Sequence, residues 1–338
     1  MIFPSAFAIL ALLAPSKALP TLMAEHGHRS DQVYARTLYQ FQPGTRLENI
    51  AVRGNGNLLV TLSDRPELHE VNPLNPTSPK LIHHFAGYSG LGGITEITPD
   101  VFTVNAGNAT FAPITPIPKS FAVWKVDLSC EDRARVSKVA DMPDAIFLNG
   151  MTTLDPQAGT ILTGDCASGR VFRLDTQTGD YTVALYDELL QPPPNTTLAV
   201  GVNGIRLIGS YLYFTNSLKA LYGRVPIDLA TGKATGQYEV LDTNVASDDL
   251  TVRAGVGYLA GSISNVILEI KANGDKEAIA GNLNSTEVAS STSVAFGRTW
   301  TDNHILYVVT SGTEASPVNG TYVEPGKVVA LDLRHSRF

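Results

Sequence analysis

The chain of 338 residues has few charges and only two cysteines. Charged residues make up 17% of it, and it contains no basic cluster or aromatic-plus-arginine stretch that could hold a phosphate backbone. We therefore do not expect nucleic acid as a partner. Cys130 and Cys166 are too few for a disulfide scaffold, so stability has to come from core packing.

Common catalytic and membrane signals are also missing. No G-x-S-x-G turn occurs, and no histidine accompanies a serine in the pattern of a hydrolase triad. The seven histidines are scattered, so we do not expect a zinc site. No segment reaches the roughly 20 apolar residues of a membrane helix, so we expect no membrane anchor.

The N-terminus has the features of a secretory leader. An apolar run from Ala6 to Ala14 is followed by the small residues Ser16 and Ala18, and we interpret residues 1–18 as a cleaved signal peptide. Residues 19–338 are then one domain in the secretory pathway, and we expect the protein to be secreted. Four N-glycosylation sequons fit this destination, at Asn108, Asn195, Asn284 and Asn319.

What the sequence does contain is a repeat. With 43% hydrophobic residues, 29 Gly and 20 Pro, its composition is typical of many short strands joined by tight turns. Six units recur every 44 to 57 residues, five with four short apolar segments and the last with three, and their first segments start at Leu47, Leu91, Leu148, Val202, Ser247 and Ser291. This pattern predicts an all-β fold, a six-bladed β-propeller of four-stranded antiparallel blades.

The sixth repeat lacks a fourth strand. The segment from Gln32 to Phe41 precedes the first full blade and has strand character, so we expect it to complete the last blade and close the ring. This blade register also places Cys130 and Cys166 at opposite faces and predicts two free thiols. The alternative is a disulfide, which is the usual state of two cysteines in a secreted protein.

In a propeller the inner strands all start at one mouth of the central channel, so equivalent residues there converge. Two carboxylates and two amides are among them, which suits a divalent cation or an oxygenated substrate. The alternative is that Asn-Gly and Asp-Asp simply form turns. The six positions are Glu48, Gly92, Asn149, Asn203, Asp248 and Thr292.

Loops between the second and third strands should wall the same mouth. One residue from each of blades one to five is a candidate for binding substrate: Arg65, Phe111, Asp165, Asn216 and Ser262. The loop over residues 106–119 is long and apolar, with Ile114 and Ile117 also available to cover a hydrophobic ligand. An ordinary surface loop is the alternative.

These six positions, which we call the polar ring, resemble the corresponding positions in the senescence-marker/gluconolactonase family of six-bladed propellers. In that family a Glu of the first blade, Asn residues of the third and fourth and an Asp of the fifth surround a divalent metal and the substrate. Glu48, Asn149, Asn203 and Asp248 follow this order here, while Asp249 stands where the family usually has Gly. The resemblance implies Glu48, Asn203 and Asp248 as ligands for Ca²⁺ or another divalent metal.

The runs PGTRLENIAVRGNGNLLVTL and LYFTNSLKALYGRVPID resemble more closely a fungal branch of these secreted propellers, the hetero-Diels-Alderases of tropolone-sesquiterpenoid pathways. That resemblance implies an intermolecular cycloaddition between a quinone methide and a humulene-type terpene. Such a reaction needs no cofactor, only an apolar chamber and a donor to the heterodiene carbonyl.

Three functions follow from these interpretations. The first is the hetero-Diels-Alder addition of hydrophobic small molecules, with Asn149 or Asn203 as donor and Glu48 and Asp248 as polar groups of the site. The second is a metal-dependent lactonase, in which Asp248 helps to activate water. The third is a secreted, non-catalytic propeller that binds a ligand or protein through a flat polar face.

Overall fold

The structure, a computed structural model, describes residues 33–111, 114–130, 133–196, 199–314 and 316–335. The predicted signal peptide lies outside these residues. Six four-stranded antiparallel sheets follow one another along the chain and form a six-bladed β-propeller, as predicted. No helix among the described residues has the length and apolarity to cross a membrane.

Blades one to three use consecutive strands, apart from a small hairpin inserted in blade two. Blade one consists of β2 (Leu47–Val52), β3 (Leu58–Leu62), β4 (Glu67–Val71) and β5 (Lys80–His84). Blade two consists of β6 (Gly90–Thr98), β7 (Val101–Gly107), β10 (Ala122–Asp127) and β11 (Arg135–Asp141), with the hairpin of β8 (Ala109–Phe111) and β9 (Ile114–Pro116). Blade three consists of β12 (Leu148–Asp155), β13 (Thr160–Asp165), β14 (Arg170–Asp175) and β15 (Tyr181–Tyr186).

Blades four and five repeat this order, and blade six combines both ends of the chain. Blade four consists of β16 (Val202–Ile208), β17 (Tyr211–Asn216), β18 (Leu221–Pro226) and β19 (Glu239–Thr243). Blade five consists of β20 (Leu250–Arg253), β21 (Val256–Gly261), β22 (Val266–Ile270) and β23 (Lys276–Gly281). Blade six consists of β24 (Ser291–Phe296), β25 (Ile305–Thr310), β26 (Lys327–Asp332) and β1 (Tyr34–Gln40), and one turn of 3-10 helix follows at Leu333–His335.

The ring closes by strand pairing between the two ends of the chain. β1 lies antiparallel to β26, with Tyr34 opposite Asp332 and Gln40 opposite Lys327. The prediction that an N-terminal strand completes the last blade is therefore confirmed. The pairing covers the edge that β26 would otherwise expose, and exposed strand edges favour aggregation.

The hydrophobic core is divided among the spaces between blades. Six buried clusters are present, and each combines side chains from two neighbouring blades. The second strand of a blade is covered on both faces, and so all five residues of β3 are buried. This explains why the second segment of each repeat reads as a nearly continuous apolar run rather than as an alternating one.

The two cysteines are free thiols that lie in different blades. Cys130 follows the third strand of blade two and is half-buried, whereas Cys166 follows the second strand of blade three and is buried. The Cys166 Sγ donates to the carbonyl oxygen of Phe147 at 3.3 Å.

Replacing Phe102 by Ala tests whether the interfaces between blades stabilise the ring. Phe102 is fully buried in the cluster between blades one and two, and we expect its loss to lower the free energy of unfolding by about 3–5 kcal/mol. Trp300, which is 88% exposed, is the control, and Trp300→Ala should cost less than about 0.5 kcal/mol. Urea unfolding followed by circular dichroism measures both, and equal stabilities would contradict this account of the core.

Candidate functional site

A cavity of about 400 Å³ opens at the face where the inner strands start. Five of the six converging positions line it: Glu48, Gly92, Asn149, Asp248 and Thr292. The sixth, Asn203, is buried and contacts Asp248 by a hydrogen bond. The topology therefore brings the whole predicted ring to one place, with five members in the cavity wall and one in contact with it.

The two Asn-Gly pairs of the polar ring are parts of strands, so the interpretation of these pairs as turns is wrong. Asn149 and Gly150 lie in β12, and Asn203 and Gly204 lie in β16. Neighbouring inner strands approach so closely that a Cβ on Gly150 would lie 2.1 Å from the carbonyl oxygen of Asn203. Glycine is needed here because the backbones touch near the axis.

Each carboxyl group of the ring is paired with an amide. Asn149 Nδ2 donates to Glu48 Oε1 at 3.0 Å, and Asn203 Nδ2 donates to Asp248 Oδ1 at 2.7 Å. Asn203 Nδ2 also donates to Ser217 Oγ at 2.9 Å. The Asn203 Oδ1 is buried and has no hydrogen-bond partner, which leaves an unused acceptor in the residue that holds Asp248.

The two acids are half-buried at the cavity, and the loss of contact with water makes their charged forms unfavourable. It raises the pKa of Glu48 from its ordinary value of 4.5 to about 7, with a smaller contribution from the charge of Asp249. It also raises the pKa of Asp248 well above its usual range, and the charges of Glu48 and Asp249 act in the same direction. The cavity thus offers carboxyl groups that can hold a proton near neutral pH.

Asp249 joins four blades in a polar cluster that the sequence did not reveal. Its Oδ2 accepts hydrogen bonds from Asn49 Nδ2 at 3.0 Å, Arg206 Nη2 at 3.0 Å and Ser293 Oγ at 2.7 Å. Its Oδ1 accepts from the backbone nitrogen of Leu250 at 2.7 Å. This explains the departure from Gly at this position, because the carboxylate links the inner strands of blades one, four, five and six.

Comparisons with known proteins support the resemblance on which part of the prediction rests. No protein-family model matches the chain. The curated protein "Putative hetero-Diels-Alderase asR5" of Sarocladium schorii is 28% identical over 356 aligned positions, which cover 91% of this chain and 86% of that protein. A "Putative hetero-Diels-Alderase" of Phoma sp. is 28% identical over 321 positions, covering 81% of this chain and 85% of that protein.

The resemblance to hetero-Diels-Alderases is confirmed. Solved structures agree with the fold. Regucalcin of Agrobacterium tumefaciens, a calcium-binding protein, superposes with a TM-score of 0.61 at 16% identity, over 88% of this chain and 93% of that one. A luciferin-regenerating enzyme superposes with a TM-score of 0.62 at 14% identity, over 88% and 95%. At these identities the two likenesses show the fold alone.

Only one of the predicted loop residues whose side chains are described lines the cavity, and it is Ser262. The other three bond to neighbouring loops instead, which corrects the prediction that they wall the mouth. Arg65 donates to Asp64 Oδ2 and Thr45 Oγ1. Asp165 accepts from the backbone nitrogens of residues 146 and 147, and Asn216 donates to the carbonyl oxygens of residues 189 and 191.

Two of these side chains turn away from the cavity for the same physical reason. Asp165 and Asn216 are short polar side chains at strand ends, and such side chains satisfy backbone groups that the sheet leaves unpaired. Arg65 instead bonds to side chains. The side chain of Phe111 lies outside the described part of the structure. The surrounding loop does reach the cavity, through residues 106–109 and Ile114, and folds partly as the β8–β9 hairpin. Ile117 is 45% exposed and is not among the lining residues described.

An apolar wall faces the polar ring. Phe121 and Phe147 are in edge contact, with ring centroids 5.8 Å apart. Other apolar residues also line the cavity: Leu91, Ala106, Ala109, Ile114, Leu148, Ile263 and Leu283. Phe147 and Leu148 directly precede Asn149, so their closeness to the ring could have been noted from the sequence. Leu91, in β6, likewise precedes the ring position Gly92. Ile263 and Leu283 come from loops whose paths the sequence does not define.

Glu48→Gln tests the buried acid. The folded state holds this proton more tightly than the unfolded state, so the stability from Glu48 is complete below about pH 4.5 and is lost as pH rises through about 7. We expect the free energy of unfolding to fall more steeply across this window in the wild-type protein than in the variant. Urea titrations at a series of pH values measure the slopes, with the exposed Glu277→Gln as control. Identical slopes for Glu48→Gln and wild type would argue against a raised pKa.

Asp249→Ala tests the four-blade cluster. Removing the carboxylate leaves the partly buried Arg206 guanidinium and the Asn49 amide without their acceptor, and we expect a loss of about 2–4 kcal/mol in the free energy of unfolding. Asp249→Asn keeps the shape and an acceptor oxygen, so it should lose less. The same unfolding assay compares them, and a neutral Asp249→Ala would show that the cluster does not stabilise the ring.

Proposed function

We propose that this protein catalyses an intermolecular hetero-Diels-Alder cycloaddition between a quinone methide and a humulene-type terpene. The observation that carries the proposal is a cavity with two chemically different walls, in a chain whose curated relatives are named hetero-Diels-Alderases. The volume of about 400 Å³ falls within the range of small-molecule sites.

The protein forms no covalent bond to either substrate in this reaction. The heterodiene C=C–C=O of the quinone methide adds across one C=C of the terpene, forming one C–C and one C–O bond, with no proton transferred and no group leaving. Catalysis then consists of bringing the partners together and stabilising charge that develops on the carbonyl oxygen. An apolar wall beside hydrogen-bonding groups supports both tasks.

The polar ring supplies the donors for this carbonyl. Of the two amides considered from the sequence, Asn149 lines the cavity, whereas Asn203 holds Asp248 from behind. We therefore assign the donor role to Asn149 and a positioning role to Asn203. Glu48 orients Asn149 through their 3.0 Å hydrogen bond. The apolar wall around Phe121 and Phe147 seats the terpene.

Asn149→Ala tests the donor. We expect the rate of cycloadduct formation from a humulene and a quinone methide generated in the assay to fall by about 100-fold, as when one donor to a developing oxyanion is removed. The stereoisomer ratio, read by chiral chromatography, should move towards that of the uncatalysed reaction. Asn273→Ala, in an exposed turn on the opposite face, is the matched control. An unchanged rate and ratio would overturn the assignment of Asn149.

A metal-dependent lactonase is the second candidate, and one observation favours it. The unpartnered Asn203 Oδ1 and the mutually repelling carboxyl groups of Glu48 and Asp248 form a set of oxygen ligands that suits a divalent cation. A bound cation would polarise a lactone carbonyl. No group of three or more His, Cys, Asp or Glu residues suited to a metal occurs in the described ranges, so this set depends on the amide.

Chelation separates the two candidates within the same assays. Cycloaddition that continues in the presence of a chelator supports the pericyclase. Lactone hydrolysis that stops on chelation and returns with Ca²⁺ or another divalent ion supports the lactonase. The apolar wall also distinguishes both enzymes from a binding protein with a flat polar face.

A further inference from the structure

All four N-glycosylation sequons lie on the face that carries the cavity mouth. Asn195 and Asn284 lie in connections from an outer strand to the next inner strand, at β15–β16 and β23–β24. Asn108 and Asn319 lie between second and third strands, at β7–β8 and β25–β26. Both kinds of connection are on the mouth face, so the four sites share one side of the disc.

Two of these sites lie close in sequence to exposed apolar residues of the mouth face, Leu283, Tyr322 and Val323, which we call the apolar rim. Leu283 lines the cavity and is 64% exposed, and Asn284 directly follows it. Asn319 lies in the loop that contributes residues 311, 312 and 316 to the cavity, shortly before the exposed Tyr322 and Val323. An opening that admits hydrophobic molecules exposes apolar surface, and such surface favours self-association.

The local geometry of both sites is open. Asn284 is exposed in a turn in which its backbone nitrogen donates to Asn282 Oδ1 at 3.0 Å. Asn319 is exposed with φ of 54° in a turn closed by a hydrogen bond from the nitrogen of Gly320 to the carbonyl oxygen of Pro317 at 2.9 Å. A large group on either side-chain nitrogen meets solvent.

Asn108 has the same motif in a different setting. It is half-buried in the cavity wall, and its Nδ2 donates to the carbonyl oxygen of Gly87 at 3.1 Å. Its sequon continues into β8, so Thr110 is held within a hairpin. A sugar on this nitrogen would disturb the hydrogen bond to Gly87, in a residue that already forms part of the cavity wall.

We propose that Asn284 and Asn319 carry N-linked glycans that shield the apolar rim of the mouth, and that Asn108 carries none. The modification transfers an oligosaccharide from a lipid diphosphate donor. The C1–O bond to the diphosphate breaks, a bond forms from C1 to Nδ2, and one amide proton is lost. The proposal requires the secretory route that the N-terminal leader predicts, and it is independent of which reaction the cavity catalyses.

Site occupancy is the first test. The full chain is secreted from a yeast that N-glycosylates, and peptide N-glycosidase in heavy-oxygen water converts each occupied Asn to a labelled Asp that mass spectrometry locates. We expect label at Asn284 and Asn319 and none at Asn108. Label at Asn108, or its absence at either of the other two sites, would overturn the proposal.

The shielding role is the second test, and it uses the folded glycoprotein. We expect trimming with an endoglycosidase to produce concentration-dependent self-association, measured by light scattering after size-exclusion chromatography. Leu283→Ser keeps the sequon at Asn284 but removes the apolar rim residue, and it should suppress the association of the trimmed protein. Asn195→Gln is the control, because it removes a sequon that lies away from the apolar rim. A trimmed wild-type protein that keeps the molar mass of the untrimmed one would show that these glycans do not shield the rim.

Discussion

The pairing of β1 with β26 is the contact on which the rest of this structure depends. It joins residues about 290 positions apart in one ladder, from Tyr34 opposite Asp332 to Gln40 opposite Lys327. Without it, blade six would expose a strand edge, and the buried clusters on both sides of the blade would lose side chains of β1 and its flanks, Val33 and Leu38. Because the blades pack in a circle, closure also sets how closely the inner strands approach the axis.

The close approach at the axis creates both the site and its electrostatic cost. Glycines beside Asn149 and Asn203 allow adjacent backbones to touch, and the side chains of the ring are then crowded into a small volume. Two carboxyl groups are half-buried there and partly desolvated, and the charge of Glu48 acts on Asp248, which favours protonated forms. Amide donors from neighbouring blades offset part of this cost. One fold therefore provides hydrogen-bonding groups and apolar side chains in the same cavity.

The same arrangement explains why the cluster around Asp249 lies next to the site. A ring whose members repel each other needs attachment between blades, and the Asp249 carboxylate binds groups from three other blades. Arg206 supplies the opposite charge at 3.0 Å, so the negative charge of Asp249 is balanced within the cluster itself.

Much of the ring could be predicted from the sequence, and much of its surroundings could not. The repeat placed Glu48, Asn149, Asn203 and Asp248 together because equivalent strand starts converge in any closed propeller. It could not separate Asn149 in the cavity wall from Asn203 behind it, since that depends on side-chain direction. It also assigned Arg65, Asp165 and Asn216 to the wall, although their hydrogen bonds to nearby backbone and loop side chains turn them away.

By itself, the sequence determined the blade number, the strand order, the closure by an N-terminal strand and the position of the mouth. These follow from hydrophobic periodicity and from repeat spacing, which are local properties of the chain. Only the tertiary structure decided which polar side chains face the cavity, how Asp249 bridges the blades, and which sequons are exposed. Those features arise from contacts between residues far apart in the chain, such as Asn49 and Asp249, and no local pattern encodes them.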